Sequence, residues 1–248
     1  MTKHKAIEVH NLTKRFGAFK AVDDISFEVY AGEIFGFIGA NGAGKTTAMR
    51  ILCGLLKPSE GKAEVAGFNI DNQSHLIKEN IGYMSQRFSL YEDLTVEENL
   101  RLYGGIYGIP KKELNPRIDE QLQVLNFMDS KKTLVETLPL GWKQKLAFIA
   151  ATIHRPKIVF LDEPTGGVDP ITRRQFWELI YQAADTGITV FVTTHYMDEA
   201  EYCDRVSIMA DGKIKALNTP KQLKIDFQAS SMDGVFDAIA KTSKRSQV

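Results

Sequence analysis

The chain has 248 residues, with 31 Lys and Arg against 31 Asp and Glu, so its formal net charge is zero. Hydrophobic residues make up 44% of the sequence and charged residues 25%, a composition that is typical of a folded domain and excludes a disordered tail. The neutral charge gives no support to nucleic-acid binding, and two cysteines are too few for a disulfide scaffold.

No segment is apolar over the roughly 20 residues that a membrane-spanning helix needs. The longest apolar run is at about 146–153, and residues 1–10 lack the apolar core of a signal peptide. We therefore expect a cytoplasmic chain with reduced thiols that does not insert into a membrane.

Strand-like and helix-like segments alternate in the first part of the chain. Short apolar segments predict strands at 7–9, 25–29, 33–38, 63–67 and 81–84. Residues 45–55 have helical periodicity and follow a glycine-rich turn. This alternation favours an α/β fold.

The middle of the chain differs from the rest, because residues 95–154 have helical periodicity and no convincing strand. Thr95-Val-Glu-Glu has the pattern of a capping box, so we expect a helix to begin there. Pro116 fits an early position of a further helix. We predict a helical subdomain inserted at about 87–156.

The alternation returns after His154, with strands predicted at 157–161, 188–193, 206–209 and 213–217 and helices at 172–185 and 197–202. The run Ile158-Val-Phe-Leu is apolar on both faces, which suits a central parallel strand covered by helices. We predict one nucleotide-binding domain over 1–220, whose core is about 1–86 and 157–218, and a short C-terminal tail over 221–248.

The segment Gly39-Ala-Asn-Gly-Ala-Gly-Lys45-Thr46 satisfies the phosphate-loop pattern G-x-x-x-x-G-K-[ST], between a predicted strand and a predicted helix. Its glycines let backbone N–H groups curl around a phosphate chain, and the helix N-terminus adds partial positive charge. Lys45 would reach the terminal phosphates and the Thr46 hydroxyl would bind Mg²⁺. The residues assigned here to ATP binding are Asn41, Gly42, Ala43, Gly44, Lys45, Thr46 and Thr47.

Two carboxylates, Asp162 and Glu163, come directly after the apolar strand at 157–161. Ligands of open α/β sheets lie at the carboxyl ends of the strands. Asp162 is therefore placed for the Mg²⁺ shell, and Glu163 can act as the general base that polarises the attacking water.

Taken in chain order, these motifs resemble those of the nucleotide-binding domain of ABC transporters, over about residues 5–220. The resemblance implies a P-loop NTPase (RecA-like) core with an antiparallel β subdomain and an inserted α-helical subdomain. Asp162 and Glu163 match the family's Walker B aspartate and catalytic carboxylate.

Four further residues take their roles from this resemblance. Phe16 is similar to the aromatic residue that stacks on adenine, and Gln86 to the glutamine that contacts Mg²⁺ or water. Asp169 falls in a segment that resembles the D-loop, and His195 matches the switch histidine that senses the γ-phosphate. Alone, Phe16 could be a core aromatic, Gln86 a surface amide and His195 an ordinary strand-end histidine; their order and spacing favour the family roles.

One segment departs from the family pattern. The signature Leu-Ser-Gly-Gly-Gln is replaced by Leu138-Pro139-Leu140-Gly141-Trp142, so a proline stands where the family has the serine that contacts the γ-phosphate. Gly141 still permits close backbone approach. In the family this segment completes the site of a second ATPase domain. We expect a homodimer, with a heterodimer as the alternative, and we expect ATP binding and dimer closure to survive through backbone amides and the helix dipole.

The context of the motifs resembles the drug-resistance type of export ATPases. The implied partners are integral membrane permease subunits, which would hold the chain on the cytoplasmic face of the cell (inner) membrane. Phe88, Leu90 and Tyr91 are candidates for that contact, with ordinary packing as the alternative. The competing functions are an importer ATPase, a soluble ATPase acting on DNA or ribosomes, and a non-hydrolysing regulatory module.

Overall fold

The computed structural model describes residues 4–86 and 89–245, and the side chains as far as residue 241. Its strands are β1 (Lys5–Phe16), β2 (Phe19–Tyr30), β3 (Ile34–Ile38), β4 (Glu60–Val65), β5 (Phe68–Asn69), β6 (Ile81–Met84), β7 (Ile158–Asp162), β8 (Thr189–Thr194), β9 (Arg205–Ala210) and β10 (Lys213–Asn218). Its α-helices are α1 (Lys45–Leu52), α2 (Ser74–Asn80), α3 (Val96–Ile106), α4 (Lys111–Val124), α5 (Leu140–Thr152), α6 (Pro170–Asp185), α7 (Pro220–Asp226) and α8 (Met232–Arg245). Short 3₁₀ turns occur at Met128–Ser130, Val135–Thr137 and Met197–Tyr202.

The strands form two sheets. One has the order β2-β1-β4-β5 and is antiparallel. The other has the order β10-β9-β3-β8-β7-β6, and its strands are parallel except that β10 runs antiparallel to β9. The predicted α/β class is confirmed, with an antiparallel sheet beside the parallel one.

The first two strands are much longer than the predicted segments 7–9 and 25–29. They pair with each other from Lys5↔Tyr30 to Phe16↔Phe19, and several bulges interrupt their register. Because these bulges break the alternation of buried and exposed residues, hydropathy alone finds only the most apolar parts. The helix predicted at 45–55 ends at Leu52, and α2 and β5 were not predicted.

The prediction that Pro116 lies early in a helix is wrong. α4 begins at Lys111, so Pro116 is inside the helix, where it cannot donate the usual backbone hydrogen bond. The helix survives because Leu114, Ile118 and Leu122, spaced four residues apart, are buried on one face. Packing here outweighs the local cost of proline.

In the part of the chain that the structure describes, buried residues form three hydrophobic clusters. One lies between the two sheets and contains the rings of Phe27, Phe35, Phe37 and Phe191, whose centroids are 5.3–6.2 Å apart. A second covers the opposite face of the parallel sheet with α5, α6 and α8. The third joins α3, α4 and α5. The parallel sheet is therefore covered on both faces, as expected for its continuous apolar strands.

The C-terminal residues pack on the core. Leu223 of α7 and Met232 and Val235 of α8 are at most 2% exposed and belong to the second cluster. Residues 221–241 thus complete the apolar cover of the sheet. Within the described ranges, no helix combines the length and apolarity needed to cross a bilayer.

Candidate functional site

Four adjacent strands place the predicted polar residues at one edge of the parallel sheet. The glycine-rich loop follows β3, His195 follows β8, Glu163 follows β7 and Gln86 follows β6 by two residues. Since β3, β8, β7 and β6 are neighbours and parallel, their carboxyl ends meet at the same edge. Residues that are up to 156 positions apart in the sequence, from Gly39 to His195, are brought together there.

The glycine-rich loop is packed closely against the antiparallel sheet. Gly44 has φ +102°, and a Cβ atom there would lie 2.1 Å from the carbonyl oxygen of Ala21, so only glycine fits. Gly42 also has a positive φ, of 80°, and Asn41 is exposed. The Ala43 carbonyl accepts a 3.2 Å hydrogen bond from the Gly212 N–H, which ties the loop to the turn after β9.

The Lys45 side chain lies inside this loop and is only 4% exposed. Its Nζ donates to the carbonyl oxygens of Gly39 and Ala40, at 2.8 and 3.1 Å, and lies 3.6 Å from Glu163 Oε1. Burial lowers the pKa of Lys45, and the charge of Glu163 opposes that shift. A phosphate chain within the loop would meet this ammonium group directly.

Asp162 joins the loop to the end of β8. Its Oδ1 accepts hydrogen bonds from Thr193 Oγ1 at 2.7 Å and Thr46 Oγ1 at 3.1 Å. Burial raises the pKa of Asp162, and these two hydroxyl donors oppose the shift. The carboxylate and the Thr46 hydroxyl are hard oxygen donors at the same point, the chemistry that Mg²⁺ prefers.

A metal here would need ligands from outside the protein. In the described part of the chain, no group of three or more His, Cys, Asp or Glu side chains could hold an ion alone. Mg²⁺ commonly takes one or two protein ligands and completes its shell with water and substrate phosphates. The pair Thr46 and Asp162 fits that mode of binding.

The Glu163 carboxylate lies at the centre of the group. Besides the contact of Oε1 with Lys45, its Oε2 accepts a 3.1 Å hydrogen bond from Gln86 Nε2 and lies 3.0 Å from His195 Nδ1. The residue has φ +50°, a left-handed conformation that is uncommon outside glycine. A carboxylate held by three polar groups at the edge of a phosphate loop is placed to accept a proton from water.

Gly141 and Asp169 lie apart from this group and line a separate cavity of about 300 Å³ at the N-termini of α5 and α6. A Cβ at Gly141 would lie 2.5 Å from Thr172 Cγ2, so glycine is needed for these two helices to approach. Asp169 caps α6, with Oδ1 accepting from the N–H groups of Ile171 and Thr172 at 3.0 Å. Hydrogen bonds from Thr172, first through its hydroxyl and then through its N–H, lower the pKa of Asp169.

Phe16 occupies the tip of the β1–β2 hairpin, where its ring is 52% exposed. Lys14 Nζ lies 5.3 Å from the ring centre. The ring is therefore available to a flat ligand beside the glycine-rich loop, which packs on β2 at Ala21. Thr47, the last loop residue in the prediction, is partly buried in α1.

Thr193 and Gln144 support the site but are not among the residues predicted from the sequence. Thr193 bonds Asp162 and also accepts from the Glu163 N–H at 3.1 Å, while Gln144 Nε2 donates to the Gly166 carbonyl at 3.0 Å. The position of Thr193 beside Asp162 follows from the register of β7 and β8. Aligning the predicted strands that became β7 and β8 could have placed Thr193 beside Asp162. No local sequence pattern distinguishes Gln144.

A larger cleft of about 610 Å³ lies between α3, α5 and β6. Tyr83, Leu90, Tyr103, Ile106 and Tyr107 are among its lining residues, and Ala147, Ala150 and Ala151 of α5 form one side. Of the three predicted contact residues, Leu90 lines the cleft. Tyr91 is 51% exposed and does not line it, and Phe88 lies outside the described residues.

Known proteins resemble this chain over most of its length. A family model described as ABC transporter matches residues 22–166. The probable multidrug ABC transporter ATP-binding protein YbhF of Escherichia coli K12 is 48% identical over 218 residues, which make up 88% of this chain and 38% of that protein. The chain thus spans well under half the length of that relative.

Two further matches cover more of the other protein. The linearmycin resistance ATP-binding protein LnrL of Bacillus subtilis 168 is 36% identical over 88% of this chain and 70% of its own length. A solved ATP-binding cassette, described as a dimeric post-hydrolysis state bound to ADP and Pi, has a TM-score of 0.77. It is 25% identical, covering 86% of this chain and 98% of that chain.

Proposed function

The chain belongs to the ABC transporter family, and from that premise we propose that it binds and hydrolyses ATP as the ATPase subunit of an exporter. The observation that carries this proposal is the convergence of Lys45, Asp162 and Glu163, with Gln86 and His195, at one edge of the parallel sheet.

ATP binding uses the glycine-rich loop and the hairpin tip. Backbone N–H groups of the loop and the start of α1 bind the phosphates, and Lys45 neutralises the terminal ones. Phe16 stacks on the adenine ring, a contact worth about 1–3 kcal/mol. Thr46, Asp162 and Gln86 would hold Mg²⁺, which supplies positive charge against the phosphate oxygens when it is bound.

Hydrolysis breaks the bond between the β- and γ-phosphates of ATP. A water molecule attacks the γ-phosphorus, its proton passes to the Glu163 carboxylate, and ADP and phosphate are the products. Gln86 and Lys45 hold that carboxylate from two sides, and His195, which lies against its Oε2, would sense the γ-phosphate. The left-handed backbone at Glu163 is the kind of local strain that active sites retain.

A second ATPase domain completes the site. Gly141 and Asp169 lie around a cavity apart from Lys45 and Glu163, so in one copy they do not meet the same nucleotide. In a homodimer, or in a heterodimer as the alternative, this face of one domain would cover the phosphates bound to the other. The solved relative described as a dimer with ADP and Pi supports the arrangement.

Export through membrane permease subunits is the whole-protein activity that the relatives' names favour. One is called a probable multidrug transporter protein and another a linearmycin resistance protein. The apolar cleft between α3, α5 and β6 suits a short helix of a membrane subunit, with Leu90 on its wall.

In this proposal, residues 1–220 are the ATPase domain, 87–156 its helical insert and 221–248 its tail. The subunit works at the cytoplasmic face of the membrane.

The test is steady-state ATP hydrolysis by the purified chain and by Glu163→Gln. We expect the variant to bind ATP with wild-type affinity and to hydrolyse it about 100-fold or more slowly, because a positioned general base contributes about 10²–10⁴ in rate. Glu64→Gln, an exposed carboxylate on β4, is the matched control and should keep the wild-type rate. Equal rates in Glu163→Gln and the wild type would refute the assignment.

A further inference from the structure

A largely buried cluster lies behind the site, formed by Thr165 and Glu199, which are buried, and Arg173, whose side chain is 18% exposed. Glu199 is 0% exposed, and its Oε1 accepts a 2.5 Å hydrogen bond from Thr165 Oγ1. Arg173 Nε lies 3.6 Å from the same oxygen. Glu199 Oε2 is buried and has no hydrogen-bond partner among the described residues.

Stability alone does not account for this cluster. A buried carboxylate loses its hydration, and a single arginine contact at ion-pair distance with one oxygen unpaired compensates for that loss poorly. Replacing such a buried ion pair by well-packed apolar side chains of similar volume is often neutral or stabilising. The cluster instead holds two neighbouring parts of the site in place.

On one side, the cluster holds the turn that carries Glu163. Thr165 is two residues beyond Glu163, and the Gly166 N–H closes the turn by donating to the Glu163 carbonyl at 3.1 Å. Glu199 binds Thr165 within this turn, and Gln144 binds the Gly166 carbonyl from α5. The left-handed backbone of Glu163 is thus fixed by contacts from two other elements.

On the other side, the cluster supports His195. The Arg173 guanidinium carbon lies 4.0 Å from the centre of the Tyr196 ring, a stacking distance. The Tyr196 and His195 rings are 4.2 Å apart, and His195 Nδ1 is 3.0 Å from Glu163 Oε2. Successive contacts therefore connect Glu163 to its own turn by way of five other residues. In order, these are His195, Tyr196, Arg173, Glu199 and Thr165.

We propose that Glu199 and Arg173 are positioning residues that fix the Glu163 turn and the His195 ring relative to each other. This inference rests on the proposed ATPase function. The two residues act on the catalytic step through Thr165 and Tyr196 and do not touch the nucleotide. The same carboxylate anchors both groups, so loosening either contact moves the base away from its working geometry.

The direct test compares Thr165→Val with Thr165→Ser. Valine keeps the volume of threonine but lacks the hydroxyl that binds Glu199, whereas serine keeps the hydroxyl. We expect kcat for ATP hydrolysis to fall at least tenfold in Thr165→Val with KM changed less than twofold, and Thr165→Ser to stay within threefold of the wild type. Ser207→Ala is the control, because the Ser207 hydroxyl is fully buried and has no hydrogen-bond partner within the described ranges.

Arg173→Lys gives a second measurement on a partly exposed residue, so it does not depend on Thr165→Val folding. Lysine keeps the charge but loses the planar stack on Tyr196, so kcat should again fall with little change in KM. Wild-type kcat in both Thr165→Val and Arg173→Lys would overturn the proposal. Equal losses of kcat and thermal stability in Thr165→Val and Thr165→Ser would overturn it too, since they would indicate a purely structural role.

The same assays separate this inference from the proposed function. If the wild type hydrolyses ATP and Glu163→Gln does not, the ATPase function stands and only the Thr165 and Arg173 variants decide the positioning role. If the wild type shows no hydrolysis, or Glu163→Gln hydrolyses at the wild-type rate, the proposed function fails and this inference fails with it.

Discussion

Burial shifts the pKa values of two charged side chains of the candidate site, Lys45 and Asp162, in opposite directions. It lowers the pKa of Lys45 and raises the pKa of Asp162, so both are pushed toward their neutral forms. An anionic phosphate chain beside Lys45 and a cation beside Asp162 would each restore the charge. Burial therefore favours the joint binding of a phosphate ligand and its metal.

His154 shows the same effect of burial away from the site. Its ring stacks on Tyr107 with centroids 3.5 Å apart, and its Nε2 lies 3.0 Å from the Ile81 carbonyl oxygen. Burial lowers the pKa of His154 from 6.5 to about 4, and the hydrogen bond to Ile81 opposes the shift. The histidine is a packing residue that contacts Tyr107 and Ile81, two residues that line the large cleft.

This shift predicts a loss of stability in mild acid. As the pH falls, the unfolded chain takes up the His154 proton near pH 6.5 and the folded chain only near pH 4, so the free energy of unfolding decreases across that window. We expect His154→Phe, which keeps a flat ring against Tyr107, to lose less stability between about pH 7 and about pH 5 than the wild type. Urea denaturation at the two pH values measures this.

His75→Phe is the matched control, since His75 is exposed. It should retain the acid dependence of the wild type. The same pH dependence in the wild type and in His154→Phe would contradict the account.

At the scale of elements, α5 begins in the segment that departs from the family signature. Pro139 is the N-cap residue and offers no side-chain cap, and the first turn has no acidic residue. The free backbone N–H groups at the start of α5 and its helix dipole therefore have no carboxylate of α5 competing with an anionic ligand. Trp142 stacks on Phe127 with centroids 4.3 Å apart, which fixes this turn against the other helices.

We predict that restoring the family residues here changes turnover less than a hundredfold. In the double variant Pro139→Ser with Leu140→Gly, a serine hydroxyl becomes available, but the helix N-terminus that we expect to bind phosphate is already present. Steady-state ATPase activity of the double variant and the wild type, with ATP affinity measured on both, gives the result. A gain above a hundredfold would mean that the native segment hardly supports hydrolysis.

How far the sequence predicts this fold depends on the kind of element. The strands that end in the site were found, because their apolar runs and the motifs that follow them in the sequence are local signals. α2 and the helices of the tail were missed, because residues that are distant in the sequence stabilise them. Val235 of α8, for example, packs in the second cluster. Thr165 and Glu199 were missed for the same reason, because 34 residues separate the two partners of their hydrogen bond.

Across the whole molecule, the polar groups assigned to ATP binding and hydrolysis lie in two separate places. Lys45, Asp162 and Glu163 lie at the edge of the parallel sheet, and Gly141 and Asp169 lie around the cavity at the N-termini of α5 and α6. Exposed apolar side chains accompany the second place, with Leu140 42% and Ile171 72% exposed. In the proposed homodimer, a second copy would cover these side chains and bring the two places together around one nucleotide.

The most direct test of this account is the sedimentation coefficient of Glu163→Gln with Mg²⁺ and either ATP or ADP. We predict a dimer with ATP, because the variant binds ATP without hydrolysing it, and a monomer with ADP or without nucleotide. Lys45→Ala, added to Glu163→Gln, should remove the ATP-dependent dimer, since it removes the phosphate contact. A Glu163→Gln chain that sediments as a monomer at saturating ATP would rule out the homodimer.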